Sequence, residues 1–268
     1  MSALLKPLWR RQVVGVPAPS PHDLFTAGEQ GAWYDPSDLS TLFQDAAGTI
    51  PVTADGDPVG LMLDKSGNDN HASQSTSTAR PLYKTDGTLH WLEFDGVDDF
   101  MVTASLVWGS DQASMSVGLT RRATASRIIF ELGTGFTSNL GVFYLVSGEV
   151  SSNSYTAASR GDAASSGAQR SRVVSDTPPS TNIVSALNDI SGDSTIVRAD
   201  GVDGIEATAD KGAGDFGTYP LYLFSRGGTS LFLSGDFYGG VLRNVNPTDQ
   251  ELTAIESYLA SKSGVTLP

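Results

Sequence analysis

Ser114-Met115-Ser116-Val117-Gly118-Leu119-Thr120 alternates large apolar side chains with small or polar ones, and Ile128-Ile129-Phe130-Glu131-Leu132 repeats the rhythm at Ile128, Phe130 and Leu132. Successive side chains leave opposite faces of a strand, so a period of two marks a strand with one buried face. His90, Leu92 and Phe94 alternate in the same way against Leu89, Trp91 and Glu93. Working outward, residues 142–146, 183–187, 195–198, 204–208, 221–225 and 237–243 are further strand candidates. Each run ends near a turn signal, and many short strands at such spacing predict an antiparallel β-sandwich or barrel rather than a parallel sheet with crossover helices.

Two helical pieces interrupt the pattern. Leu39, Leu42 and Phe43 predict one or two helical turns opened by Ser37 or Asp38. Thr248 and Glu251 form a capping box, Leu252, Ile255 and Leu259 make one apolar stripe, and Gly264 follows, which predicts a helix over 249–262 lying against the sandwich.

Residues 1–25 differ from the rest. Leu4, Leu5, Leu8, Trp9, Arg10 and Arg11 precede prolines at 17, 19 and 21, and proline fixes φ and lacks an amide hydrogen, so an extended arm is expected. Leu5, Leu8, Trp9, Arg10 and Arg11 either dock on a partner subunit or fold back on the sandwich. Residues 26–268 are read as one domain. Residues 147–175 are rich in Ser, Ala and Gly and are expected to form a long exposed connection that adds little core, either a recognition loop or a tolerated insertion.

Composition narrows the function classes. The 268-residue chain has no cysteine, which excludes disulfide scaffolds, thiolate metal sites and cysteine nucleophiles. Its formal charge is −13; the first 22 residues carry +3, so the remainder carries −16. Such a body repels nucleic acid, whose phosphates need clustered Lys and Arg. The acidity also serves solubility. Apolar runs such as 141–146 are too short to cross a bilayer and no segment has a signal-peptide layout, so no membrane insertion and no general export are expected.

Three segments carry a family likeness. Leu63-Asp64-Lys65-Ser66-Gly67-Asn68-Asp69-Asn70-His71-Ala72, then Leu92-Glu93-Phe94-Asp95-Gly96-Val97-Asp98-Asp99-Phe100, then Phe237-Tyr238-Gly239-Gly240-Val241 leading into the last helix, resemble the concanavalin-like, laminin-G-type jelly-roll domains of phage, bacterial-surface and glycan-binding proteins. The resemblance covers residues from about 31 to 268. It implies an all-β, concanavalin-like antiparallel sandwich jelly roll, here with an N-terminal arm and a short C-terminal helix. The stretch from Gly28 to Asp38 is similar to one found in phage and prophage virion products.

From this follow the expected roles. The resemblance implies a non-enzymatic bacteriophage virion protein at the tail tip, in a fibre or on the capsid surface, with other virion proteins as partners. A closed oligomer is expected, a trimer by preference. Host-surface glycan is the second expected partner, met by Trp33, Trp91, Trp108 or Tyr155 at a loop end. A carbohydrate-binding module outside any virion is an alternative. A jelly-roll hydrolase is another, with Glu93, Asp95 and Asp98 approximating a carboxylate strand that Gly96 breaks. No catalytic residue and no cofactor are expected. Calcium is the one metal the family allows, with Asp64, Asn68, Asp69, Asp98 and Asp99 as ligand candidates.

Overall fold

A computed structural model describes residues 21–149, 153–162 and 170–268. The strands in chain order are β1 (Gly31–Tyr34), β2 (Leu42–Phe43), β3 (Leu61–Met62), β4 (Ala72–Ser73), β5 (Leu82–Thr85), β6 (His90–Asp95), β7 (Met101–Val107), β8 (Gln112–Arg121) and β9 (Arg127–Leu132). They continue with β10 (Val142–Ser147), β11 (Ser154–Arg160), β12 (Ser171–Val174), β13 (Ser180–Asp189), β14 (Ser194–Ala199), β15 (Val202–Asp203), β16 (Thr218–Leu223) and β17 (Ser234–Arg243). One α-helix, α1 (Asp249–Ser263), closes the chain.

Two antiparallel sheets face each other. The first runs β15-β14-β13-β8-β17-β6-β5, with β1 also paired to β17; the second runs β12-β11-β10-β9-β16-β7-β4-β3-β2. This is the predicted sandwich. Met115, Val117 and Leu119 of β8 point into the space between the sheets, where they meet Phe130 and Leu132 of β9. A file of aromatic contacts crosses that space: Phe94 to Phe224 at 4.3 Å, Phe224 to Phe237 at 5.9 Å, and Phe237 to Phe130 at 6.4 Å between ring centroids.

The outer face of β8 is buried too. Helix α1 lies over β8, β13 and β17, and its Ile255, Leu259 and Ala260 pack with Ile183 and Val241. It passes over Gly118, where a Cβ would stand at contact distance, 3.4 Å, from the Leu259 carbonyl oxygen. Thr248 and Glu251 form the capping box expected of them, and Gly264 ends the helix at φ 71°. The helix is also tied to the first sheet by Arg198 and the buried Glu256, 3.0 Å apart.

Several expectations are corrected. Ile128 leaves the main core and joins Val142, Tyr144 and Val146 on the outer face of the second sheet, because a bulge between Leu145 and Val146 shifts the register and turns Ile129 inward with Phe130. The stretch 204–208 is no ladder strand; Ile205 and Ala207 make single bridges to Arg172 and Thr195. Residues 147–175 are not a bare connection. They hold β11 and β12, and Tyr155, Ala157 and Val173 belong to the main core. Small side chains hide this from a hydrophobicity count, because Ser159 and Thr195 bury their hydroxyls by bonding each other at 2.8 Å. Pro21–Phe25, assigned to the arm, is a 3-10 turn whose Leu24 and Phe25 pack on α1. The docking candidates Leu5, Leu8, Trp9, Arg10 and Arg11 lie outside the described residues.

The sandwich is stitched at its sides. Arg172 and Ile205 exchange backbone hydrogen bonds of 3.3 and 2.8 Å, joining the terminal strand of the second sheet to the chain leaving β15. On the opposite side Pro58 bridges Leu82 of β5. Phe130→Ala should cost about 3–5 kcal/mol in urea unfolding, as cavity-forming core truncations do, whereas Thr248→Ala, which removes only a cap, should cost about 1 kcal/mol.

Candidate functional site

The turn after β6 gathers carboxylates at the edge of an open concavity on the first sheet. Asp95 Oδ1 accepts the backbone N–H groups of Val97, Asp98 and Asp99 at 2.8, 3.3 and 3.4 Å. Asp99 Oδ2 returns the favour by accepting the Asp95 N–H at 3.0 Å. Gly96 is required here: its φ is +78°, and a Cβ would sit 2.7 Å from that of Ser234 on the neighbouring strand. Asp95, Asp98 and Asp99 therefore converge, with carboxylate oxygens within 4.8 Å of one another. Asp95 and Asp99 line an open concavity of about 260 Å³ that also includes Leu82, Glu93, Arg122 and Ser234. Arg122 pairs with Asp236 at 2.7 Å and with Glu93 at 3.3 Å.

Burial is the first cause that pushes the Asp99 carboxyl up to about 6, with Asp95, Asp98 and Glu93 adding repulsion. Burial also raises Asp236 in spite of its bond to Arg122.

Beside this turn stands a group of half-buried rings. Tyr222 lies between Leu221 and Leu223, which both enter the core, so its own side chain leaves the outer face of the second sheet. Phe100 is 6.4 Å from Tyr222 and 6.3 Å from Phe232, centroid to centroid. The backbone of Phe100 is fixed by Gln74, whose Nε2 donates to its carbonyl at 3.1 Å. Gly228 lets the loop after β16 pass against the Phe100 ring, since a Cβ would come within 2.7 Å of it. Across the same face Tyr222 pairs with Glu131, and Glu131 with Tyr144. Glu131 is fully buried and held by Arg226 at 2.9 Å, yet burial outweighs that partner and raises its pKa.

None of the four aromatics expected at a glycan site meets another there. Trp108 is 1% exposed and its indole N–H donates to the Gln112 carbonyl; Tyr155 is 0% exposed beneath the Arg121 guanidinium and donates to Asn182. Both are core residues, which corrects the expectation. Trp33 is half-buried under α1, its indole N–H donating to Tyr258 at 3.2 Å and Lys65 standing over its ring. Trp91 leans on Tyr238 at 5.8 Å on the outer face of the first sheet, with its indole N–H buried and unpaired among the described residues.

The calcium set is not assembled as predicted. Asp64 takes four donors: Trp33 N–H and Ser66 N–H on one oxygen, Ser66 O–H and Asn70 N–H on the other. Asn68 donates to the carbonyls of Glu29 and Gly31, and Asp69 supplies a left-handed turn residue at φ 59°. This motif bolts β1 to the following loop. Only Asp98 and Asp99 of the set join a carboxylate cluster, and there the third member is Asp95, whose Oδ1 is already committed. Three carboxylates fall short of the six to eight oxygens a calcium ion takes. Of the hydrolase candidates, Glu93 and Asp95 line the concavity but Asp98 projects from the turn.

No protein-family model and no curated protein matches the sequence. Among solved structures, the chain is similar to a Trypanosoma rangeli sialidase with a TM-score of 0.56 at 14% identity, covering 94% of this chain and 35% of the sialidase. It is also similar to the binding domain of botulinum neurotoxin serotype D, with a TM-score of 0.54 at 7% identity, covering 74% of this chain and 48% of that one. The chain spans a third to a half of the length of these structures, and what it shares with them is the β-sandwich fold.

The raised Asp99 has a sign that can be measured. Its folded pKa exceeds the unfolded value, so the stability it contributes is full below about pH 4 and is lost as pH rises through about 6. Asp99→Asn should therefore gain on the parent protein in urea midpoint as pH goes from 4 to 7; parallel curves would show that Asp99 is not the titrating group.

Proposed function

We propose that the chain is a non-enzymatic glycan-binding sandwich that serves as a bacteriophage virion component, at the tail tip, in a fibre or on the capsid surface. The observation that carries the glycan reading is the ring group Phe100, Tyr222 and Phe232 on the outer face of the second sheet, where Phe100 follows directly on the carboxylate turn. Half-buried rings offer flat apolar faces for the C–H side of a pyranose, and neighbouring carboxylates and a guanidinium accept and donate to its hydroxyls. A sialidase solved with 2,3-difluorosialic acid shares the fold, with a TM-score of 0.55 over 94% of this chain, which supports a carbohydrate role without specifying the sugar. The phage setting, the trimer and the docking of Leu5, Leu8, Trp9, Arg10 and Arg11 on virion partners rest on the sequence likeness and the basic N-terminal segment.

On a glycan array the purified chain should bind saturably, and Tyr222→Ala or Phe232→Ala should weaken that binding at least about tenfold, as loss of a ring anchor does. Absence of binding to any glycan defeats the reading. A chain lacking residues 1–22 should keep glycan binding and fail to enter particles; normal incorporation removes the docking role.

Hydrolysis is the second reading, favoured by one observation: Asp99, raised to about 6 chiefly by burial, stands within 4.8 Å of the carboxylates of Asp95 and Asp98. Glycan release by the parent chain that disappears in both Asp99→Asn and Glu93→Gln would establish it in place of the first.

A further inference from the structure

We infer that the sugar taken by the ring face of the second sheet carries a carboxylate, and that Arg226 is the residue that reads it. The inference rests on the glycan-binding reading above, because ring faces alone do not choose between pyranoses. Strand register joins the guanidinium to the rings. Tyr222 and Glu131 are cross-strand partners on the outer face, where the side chains of such a pair are neighbours, and Arg226 Nε donates to both Glu131 oxygens at 3.1 and 2.9 Å. The loop that carries Arg226 closes on itself, with the Arg226 N–H donating to the Ser230 carbonyl at 2.8 Å, and its Gly228 lies against the Phe100 ring before the chain reaches Phe232. Arg226 and the three rings therefore share one surface.

The state of Arg226 suits it to a ligand. The fully buried Glu131 holds its Nε edge and the guanidinium carbon stands 6.0 Å from the centroid of the Tyr144 ring, so the group is fixed before anything binds. Its two terminal nitrogens have no hydrogen-bond partner among the described residues, and the side chain is 33% exposed. A planar fork with those N–H groups unspent matches the two oxygens of a carboxylate. The charge around it is unlike that of the rest of the chain. The nine strands of the second sheet hold one acidic residue, Glu131, out of 30 in the sequence, against Arg127, Arg160 and Arg172. Arg170 brings a further guanidinium to the Tyr144 hydroxyl at 2.7 Å, where Glu149 pairs with it at 3.1 Å.

Other charges pull against an anion. Asp98 and Asp99 precede Phe100 directly, and the chain outside its first 22 residues carries −16. At physiological salt such charges are screened beyond about 8 Å, whereas a fork bonded directly to a carboxylate is not. Were the acidic turn to govern, a neutral sugar would bind better than its acid.

The test begins with a glycan array that holds neutral, uronate-containing, sialylated and sulfated sugars. Isothermal titration of the full chain follows, with the strongest binder as its acid and as its methyl ester, which keeps the ring and removes the charge. Carboxylated sugars should lead the array, and esterification should weaken binding about tenfold. Arg226→Lys, which keeps a cation against Glu131 and loses the fork, should bring acid and ester to equal affinity. So should Arg226→Gln combined with Glu131→Gln, which leaves no lone buried charge. Tyr222→Ala should weaken acid and ester together, and Arg122→Lys, on the first sheet, should leave the preference as it was. Neutral or sulfated sugars leading the array, an ester that binds as well as the acid or better, or a preference that survives both Arg226 variants overturns the inference while glycan binding stands. An array blank for every sugar removes the glycan-binding reading, and this inference with it.

Discussion

Strand β8 is pressed from both sides, and the rest of the architecture follows from that compression. Met115, Val117 and Leu119 fill the gap between the sheets, while Ser114, Ser116 and Gly118 lie under covering chain on the other face. The polar members of that second face are satisfied locally: Ser116 bonds Ser185 on β13, and Ser114 donates to the Val245 carbonyl. A buried hydroxyl without such a partner would cost more than its burial returns. Helix α1 can therefore approach closely over Gly118, and its burial in turn fixes β13 and β17 on either side. The terminal helix is part of the core and not an appendage.

The alternation in β8 made the sandwich legible, because a period of two survives wherever a strand is regular. Where regularity broke, the reading broke with it. The bulge at Ile129, across from Leu145 and Val146, moved Ile128 to the far face, and the run Ile128-Ile129-Phe130 does not announce which of its members is the extra one. The poor hydrophobicity of residues 147–175 concealed β11, whose Ala157 and Ala158 are buried through small volume and whose Ser159 is buried with its hydroxyl paired to Thr195. Aromatic type alone said nothing of exposure: Trp108 and Tyr155 are core, and a ring in a turn-rich segment is as free to point inward as out. The ring group at the candidate site was partly visible, in that Tyr222 stands between two leucines that had to face the core. Its assembly with Phe100 and Phe232 was not, since the three come from separate segments that only the fold brings together.

Two of the three segments that carried the family likeness prove to be self-closing turns. In one, the Asp64 carboxylate gathers donors from β1 and from its own loop; in the other, Asp95 and Asp99 each accept from the other's stretch of backbone. A carboxylate whose oxygens are occupied by amide N–H groups has little left for a metal, which is why an oxygen-rich run reads so readily as a ligand set and yet does other work. In the second turn the closure is incomplete, since Asp98 and part of Asp99 remain as acceptors.

The stitched flanks of the sandwich bear on how such a molecule behaves in crowds. Arg172 and Ile205 on one side, and Pro58 with Leu82 on the other, occupy backbone groups that a bare terminal strand would hold out to its neighbours. Copies set shoulder to shoulder at high local density would find few open ladders to extend, so their association is left to side chains, where geometry and charge govern it and runaway fibre growth does not.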